Sequence, residues 1–195
     1  MWVKICGITN LDDALCAIDA GADALGFVFY TKSARYIIPE KAKTIVHDLP
    51  LHVKKIGLFV GTSPEEINLT CKATGMDIAQ IHFDVDEAFL EQLELPYLRV
   101  VRAQKAEDVL QYQGSLRLVD AYVESFGGSG QRVEPSWFKH ADTHNIILAG
   151  GLSPSNVEEL KGYGFYGVDV SSGVEKSKGI KDHMLVRAFI QKAKA

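Results

Sequence analysis

One pattern constrains this chain more than any other: strand and helix signals alternate along its whole length. Residues 3–8 read as a short strand. Thr9 or Asn10 can cap the helix that follows, in which Leu11, Ala14, Leu15 and Ile18 fall on one face. Gly21 ends that helix. Residues 22–29 are a nearly continuous apolar run, as expected of a parallel strand buried on both faces. The cycle continues with a helix at 39–47, a strand at 55–60 and a helix capped by Ser63 with Pro64 in its first turn. Further strands are expected at 78–83, 97–102, 116–122, 146–150 and 167–171. Helices are expected from about 86, at 105–112, near 136, from 153 and at 182–194.

Eight strands alternating with eight helices imply parallel pairing through right-handed crossovers. An open doubly wound sheet and a closed barrel both satisfy that rule. The repeat averages about 24 residues, tight for a barrel of the usual ~250 residues, yet the count of eight favours closure. With no linker or charge tract to divide it, the chain reads as one α/β domain, a (β/α)8 TIM barrel over residues 1–195.

Composition removes several classes of function. Hydrophobic residues at 47% and charged residues at 24% fit a globular protein and not a disordered one. Twenty-five acidic against 21 basic residues, with no basic block, argue against a nucleic-acid partner. The apolar runs fall far short of the ~20 residues that span a bilayer, and polar residues enter too early for a signal-peptide core. The three cysteines, Cys6, Cys16 and Cys71, form neither a CxxC pair nor an even framework. They predict reduced thiols and a cytoplasmic location.

A barrel builds its active site at the C-terminal ends of its strands. The polar residues expected there are Cys6, the stretch 30–35, Gly61 and Thr62, His82 and Asp84, Arg102, Asp120, Gly150 and Gly151, and Asp169 through Gly173. Gly150 and Gly151 after strand seven, with Ser171, Ser172 and Gly173 after strand eight, read together as a phosphate site. Alone, each turn fits an ordinary tight connection. The glycine-rich loop at 126–131 is long for so compact a chain and fits a mobile lid or a plain flexible loop.

Cys6 and Asp120 end strands on opposite sides of such a barrel and are candidates for base and acid. An ordinary thiol is only about 3% ionised at pH 7, and an ordinary aspartate is protonated about one time in a thousand. The site must therefore shift both. Lys4 shares the strand parity of Cys6 and should point inward one layer deeper, where its ammonium could favour the thiolate or pair with a buried carboxylate.

The motifs Val3-Lys4-Ile5-Cys6-Gly7-Ile8-Thr9, Gly26-Phe27-Val28-Phe29 with Ser33-Ala34-Arg35-Tyr36, Gln80-Ile81-His82, Asp120 with Phe126-Gly127-Gly128-Ser129-Gly130, Ala149-Gly150-Gly151-Leu152, and Val168 through Glu175 occur in that order. Together they resemble the phosphoribosylanthranilate isomerase family of tryptophan biosynthesis. The resemblance implies an Amadori rearrangement of N-(5-phosphoribosyl)anthranilate to 1-(2-carboxyphenylamino)-1-deoxyribulose 5-phosphate, with no metal or organic cofactor. It makes Asp120 the general acid and Cys6 the general base. It gives Arg35 the anthranilate carboxylate, lines the site with His82 and Asp169, and gives the phosphate to Gly150, Gly151, Ser171, Ser172 and Gly173. The expected partner is a small phosphoribosyl substrate, and monomer and homodimer both remain open.

Three positions depart from the family's usual pattern: Ala34 where Pro is common, Phe83 where Gly is common, and Gln131 where Lys or Thr is common. Ala34 is expected to loosen Arg35, and Phe83 to narrow the rim beside strand four. Two other readings compete. The histidine-pathway isomerase performs the same rearrangement on a related substrate, with two phosphate sites and two aspartates. A barrel that only binds a sugar phosphate would need neither Cys6 nor Asp120. His140 and His144 have helical zinc spacing, but Ala141 stands where the metalloprotease motif has glutamate, and the pair precedes strand seven. His47, His52 and His183 read as solvated, and Trp137 with Phe138 as the apolar face of the sixth helix.

Overall fold

The computed structural model describes residues 1–121 and 133–195. The glycine-rich loop and Gln131 lie outside the described residues. Eight parallel strands close into a barrel in chain order: β1 (Trp2–Cys6), β2 (Ala24–Val28), β3 (Lys54–Phe59), β4 (Ile78–Ile81), β5 (Tyr97–Ala103), β6 (Arg117–Ala121), β7 (Ile146–Leu148) and β8 (Gly167–Val170). Closure comes from β1 pairing with both β2 and β8, with Lys4 opposite Ala24 on one side and Asp169 on the other. The expected (β/α)8 architecture is the observed one.

The helices start where local chemistry dictates. The Asn10 side chain accepts the Asp13 N–H to open α1 (Leu11–Asp19), and Pro39 begins α2 (Pro39–His47). Ser63 accepts the Glu66 N–H ahead of α3 (Pro64–Thr74), and Gly75 ends it with φ 74°. Asp86 caps the single turn α4 (Glu87–Leu90), and Asp182 caps α5 (His183–Lys194).

The expectation of eight helices does not hold among the described residues. The crossovers after β5, β6 and β7 carry 3-10 turns at Ala106–Leu110, Pro135–His140 with Thr143–Asn145, and Val157–Leu160. Between β5 and β6 the reason is room: thirteen residues separate them, about the minimum for a parallel crossover, so a full helix does not fit beside the loops it needs. Length does not explain the turn between β7 and β8, whose crossover is as long as the one that holds α1. Phe138 still buries itself, edge-on to Phe165 with ring centroids 4.9 Å apart, and Trp137 packs against the core beside it.

Strand alternation sorts the core into two parts. Outward residues such as Leu25, Phe27, Val101, Val119, Leu148 and Val168 fill the layer beneath the helices. Inward residues Leu98, Val100, Leu118, Ile147 and Ala149 form a small apolar plug, with Trp2 and Ile78 packed against it. Above that plug the interior turns polar, and the candidate site begins.

Candidate active site

The polar layer follows from strand register. Lys4 and Cys6 are on the inward face of β1, Asp169 on that of β8, Asp120 on that of β6, Arg102 opposite it on β5, and His82 just past β4. The structure thus brings Cys6, His82, Asp120 and Asp169 to one mouth. Lys4 is fully buried, and its Nζ donates to both Asp169 carboxylate oxygens at 3.1 Å. Burial pulls the Lys4 pKa down, but the Asp169 carboxylate and the thiol beside it raise it on balance. Gly26 lies opposite Cys6 in the register. A β-carbon there would sit 2.8 Å from the Cys6 Sγ and 3.0 Å from the Lys4 side chain. The glycine is the space into which thiol and ammonium fit.

The acid and base candidates are shifted differently. Burial, with the Asp169 charge nearby, pushes the Asp120 carboxyl up to about 7, against the pull of Lys4 and Arg102. An aspartate that is ordinarily ionised is therefore about half protonated at neutral pH. Burial also pushes the Cys6 thiol up, and Lys4 and Lys181 only partly offset it. The Lys4 ammonium thus favours the thiolate, as its position suggested, without making the thiolate the resting form. His82 is pushed down to about 3 by burial and by the charges of Arg102 and Lys4, so its imidazole is neutral throughout the working range.

The two turns expected to form one anion cradle do meet. Gly150 and Gly151 both have positive φ, 87° and 61°. Asn156 fixes that turn, receiving the Ser153 N–H at 2.9 Å and donating to the Gly151 carbonyl at 3.0 Å. A β-carbon on Gly173 would lie 1.8 Å from the Leu152 carbonyl oxygen, so only glycine lets the β8 turn close on the β7 turn. Beside them the Ser171 Oγ is buried without a hydrogen-bond partner among the described residues.

Arg35 reaches this region from the segment after β2. Its Nε and Nη2 donate to the two Glu175 oxygens at 2.8 and 2.7 Å. With Ala34 before it, Arg35 is still held in place, because Glu175 on the other side of β1 grips the guanidinium. Phe83 does not narrow the rim either. It has the opposite parity to His82, and its ring packs edge-on against Phe89 of α4, in the outer layer.

Other sequence expectations resolve outside the mouth. Cys16 and Cys71 are buried on α1 and α3, and burial alone carries Cys71 up to about 12. His47 and His52 are exposed. His183 is half-exposed but not merely solvated, since its ring bonds Asp13 at 2.9 Å. His140 and His144 sit on turns that lead into β7, at the far end from the mouth, and the His144 ring lies 3.4 Å from the Asp142 carboxylate. Sequence reasoning missed the roles of Gly26, Glu175 and Lys181. Gly179 was a local signal for the hairpin that carries the last two, though not for their partners.

With this geometry established, comparison with known proteins is decisive. A family model described as N-(5'phosphoribosyl)anthranilate (PRA) isomerase matches residues 3–192. The chain belongs to the N-(5'-phosphoribosyl)anthranilate isomerase family. The N-(5'-phosphoribosyl)anthranilate isomerase of a Nitratiruptor species is 62% identical over 194 residues, covering 100% of this chain and 99% of the relative. Monomers of the dimeric phosphoribosylanthranilate isomerase from Thermotoga maritima superpose with a TM-score of 0.87 at 34% identity, covering 100% and 98% of the two chains. A phosphoribosylanthranilate isomerase solved with reduced 1-(o-carboxyphenylamino)-1-deoxyribulose 5-phosphate gives 0.86 at 35% identity, with the same coverage. Family membership accounts for the order of the six motifs.

Proposed function

We propose that this chain, acting as one barrel domain over residues 1–195, isomerises N-(5'-phosphoribosyl)anthranilate to 1-(2-carboxyphenylamino)-1-deoxyribulose 5-phosphate in tryptophan biosynthesis, with Asp120 as acid and Cys6 as base. The observation that supports this reading most is Asp120. It is an aspartate at the mouth whose carboxyl is pushed up to about 7 and which stands across the barrel from an inward thiol. An aldose-to-ketose rearrangement needs that pair and needs no redox centre.

In the proposed sequence the Asp120 carboxyl protonates the ribose ring oxygen. The C1' to ring-oxygen bond breaks as the anilino nitrogen lone pair moves in, giving an open-chain Schiff base. The Cys6 thiolate then takes the C2' proton. The electron pair flows to the nitrogen and leaves an enolamine, which tautomerises to the ketone. Lys4 lies beside the thiolate at that step, and its ammonium offsets the developing charge although it is shared with the Asp169 carboxylate. The phosphate sits on Gly150, Gly151, Ser171, Ser172 and Gly173. Arg35 takes the anthranilate carboxylate, with His82 and Asp169 lining the cavity between. The three buried thiols suit a reducing compartment, and the proposed location is the cytoplasm. Among the described residues no helix is long and apolar enough to cross a membrane.

The test follows the fluorescence of phosphoribosylanthranilate generated in situ. Rapid loss with the wild-type chain and near-background loss with Asp120→Asn is the expected result. Background loss with both overturns the reaction. Rapid loss with both keeps the reaction and removes Asp120 from the acid's role.

A further inference from the structure

The two ends of the proposed substrate site are joined by buried charges that the mechanism above does not use. After β8 the chain passes through a 3-10 turn at Ser172–Val174 and folds into a two-stranded hairpin, β9 (Glu175–Ser177) and β10 (Ile180–Lys181). Lys181 is fully buried there. Its Nζ donates to the Ser171 carbonyl at 3.2 Å and to Glu175 Oε1 at 3.0 Å. The same Glu175 carboxylate grips the Nε and Nη2 edge of Arg35, and it also receives the Gly179 N–H at 3.3 Å. The backbone N–H of Lys181 is held in turn by the buried Asp13 carboxylate of α1, at 2.8 Å.

Charge balance alone does not explain this arrangement. Glu175 already neutralises Arg35, and a further buried ammonium carries a large desolvation cost. The second cation leaves the trio with one net positive charge next to the anion cradle. It is also tied to the carbonyl of Ser171, whose hydroxyl is the unpartnered donor of that cradle. Because a trans peptide points its carbonyl and the following N–H in opposite directions, fixing the Ser171 carbonyl aims the Ser172 N–H away from Lys181. Both the Arg35 stem and the Ser171 Oγ crowd the point where a β-carbon of Gly7 would lie, at 2.8 and 3.1 Å. The arginine and the anion cradle are therefore neighbours.

We infer that Glu175 and Lys181 are positioning residues: Glu175 fixes the arginine for the substrate's carboxylate, and Lys181, tied to the Ser171 carbonyl, fixes the turn for its phosphate, the two being linked by their own ion pair. This inference rests on the assignment of Arg35 and the phosphate turn under the proposed function. Glu175 occupies the Nε and Nη2 edge of the guanidinium, so the Nη1 end is what remains for a ligand carboxylate. Lys181 sets the phosphate turn and supplies the positive charge that Glu175 would otherwise cancel.

The test uses three variants of the full chain, each checked for a cooperative thermal melt, and two ligands: the phosphoribosylanthranilate substrate and inorganic phosphate. Glu175→Gln releases Arg35 but adds positive charge near the cradle. It should raise KM for the substrate roughly ten- to hundredfold, the scale of losing a hydrogen bond to a charged group, with a much smaller change in kcat. Its affinity for inorganic phosphate should stay equal or improve. Lys181→Met should weaken inorganic phosphate by about tenfold or more, and the Glu175→Gln, Lys181→Met double variant, which restores the net charge but not the tether to Ser171, should recover part of that loss. A general structural defect would weaken both ligands in every variant and would not be rescued by a second substitution. Parallel losses of substrate and phosphate affinity in Glu175→Gln, or unchanged phosphate binding in Lys181→Met, overturn the inference. A wild-type chain without turnover overturns the proposed function instead. A wild-type KM in Arg35→Met overturns the arginine's assignment first.

Discussion

At the scale of single residues the proposed acid and base stand in the reverse of their convenient states. Burial carries the Asp120 carboxyl to about 7 and pushes the Cys6 thiol above its ordinary range. The competent form, with Asp120 protonated and Cys6 ionised, is then a minority at every pH. Its population rises up to about pH 7, stays flat until the thiol ionises and falls beyond that. A profile of kcat/KM against pH should show that plateau. In Asp120→Asn the residual rate should keep climbing through pH 7, because the bend at 7 belongs to the acid. Lys4→Met removes an ammonium that lowers both groups, so both bends should move to higher pH; a fixed upper bend would separate Lys4 from the thiol. Asp120 also carries a stability cost with a defined sign. Below its ordinary pKa of 3.8 the carboxyl is neutral in both folded and unfolded chains, and the cost is absent. Between 3.8 and about 7 the unfolded chain releases the proton and the folded chain keeps it, so stability falls across that window. Asp120→Asn should therefore melt higher than wild type at pH 8, by on the order of 2 kcal/mol after allowing for water at the mouth, and equally at pH 4.

At the scale of elements, two glycines decide what the strands and turns can hold. Gly173 lets the turns after β7 and β8 close on each other, and Gly26 makes room for the thiol. Gly26→Ala places a methyl 2.8 Å from the Cys6 Sγ and 3.1 Å from its Cα, which the strand backbone cannot yield cheaply. The expected result is a loss of about 1–3 kcal/mol in a denaturant melt, with a fall in kcat as the thiol is displaced. Caps and breakers were legible because they are local. Asn10, Ser63, Asp86, Asp182, Gly21 and Gly75 stop or start their helices through contacts within a few residues. Strand parity was legible too, and it put Lys4 beneath Cys6. The 3-10 turn after β5 was not legible, since helical spacing persists in a segment too short to complete a helix, and the turns before and after β7 keep the same spacing with no local signal that marks them as short. The Glu175 and Lys181 contacts were hidden for another reason. They run 140 residues to Arg35 and 168 to Asp13, and no local pattern encodes a partner at that separation.

At the scale of the whole molecule the barrel is unevenly clad. Full helices α1, α2, α3 and α5 cover the side around β1 to β4, while among the described residues the side around β5 to β7 carries only 3-10 turns, with the guanidinium of Arg117 buried among backbone carbonyls there. Fewer helical hydrogen bonds and less buried apolar surface make that side the cheaper one to open. Hydrogen exchange under native conditions should label residues 104–116 and 153–166 well before α1 and α5. Equal protection on both sides would contradict this. The seam that closes the barrel has a further consequence for synthesis. The ammonium beside the base comes from the first strand and its carboxylate partner from the last, 165 residues later. A nascent chain carries Lys4 for nearly the whole of translation before Asp169 exists. Until then no partial barrel can bury that charge with its partner, so the ribosome should release this catalyst all at once, inert until its final strand and then complete.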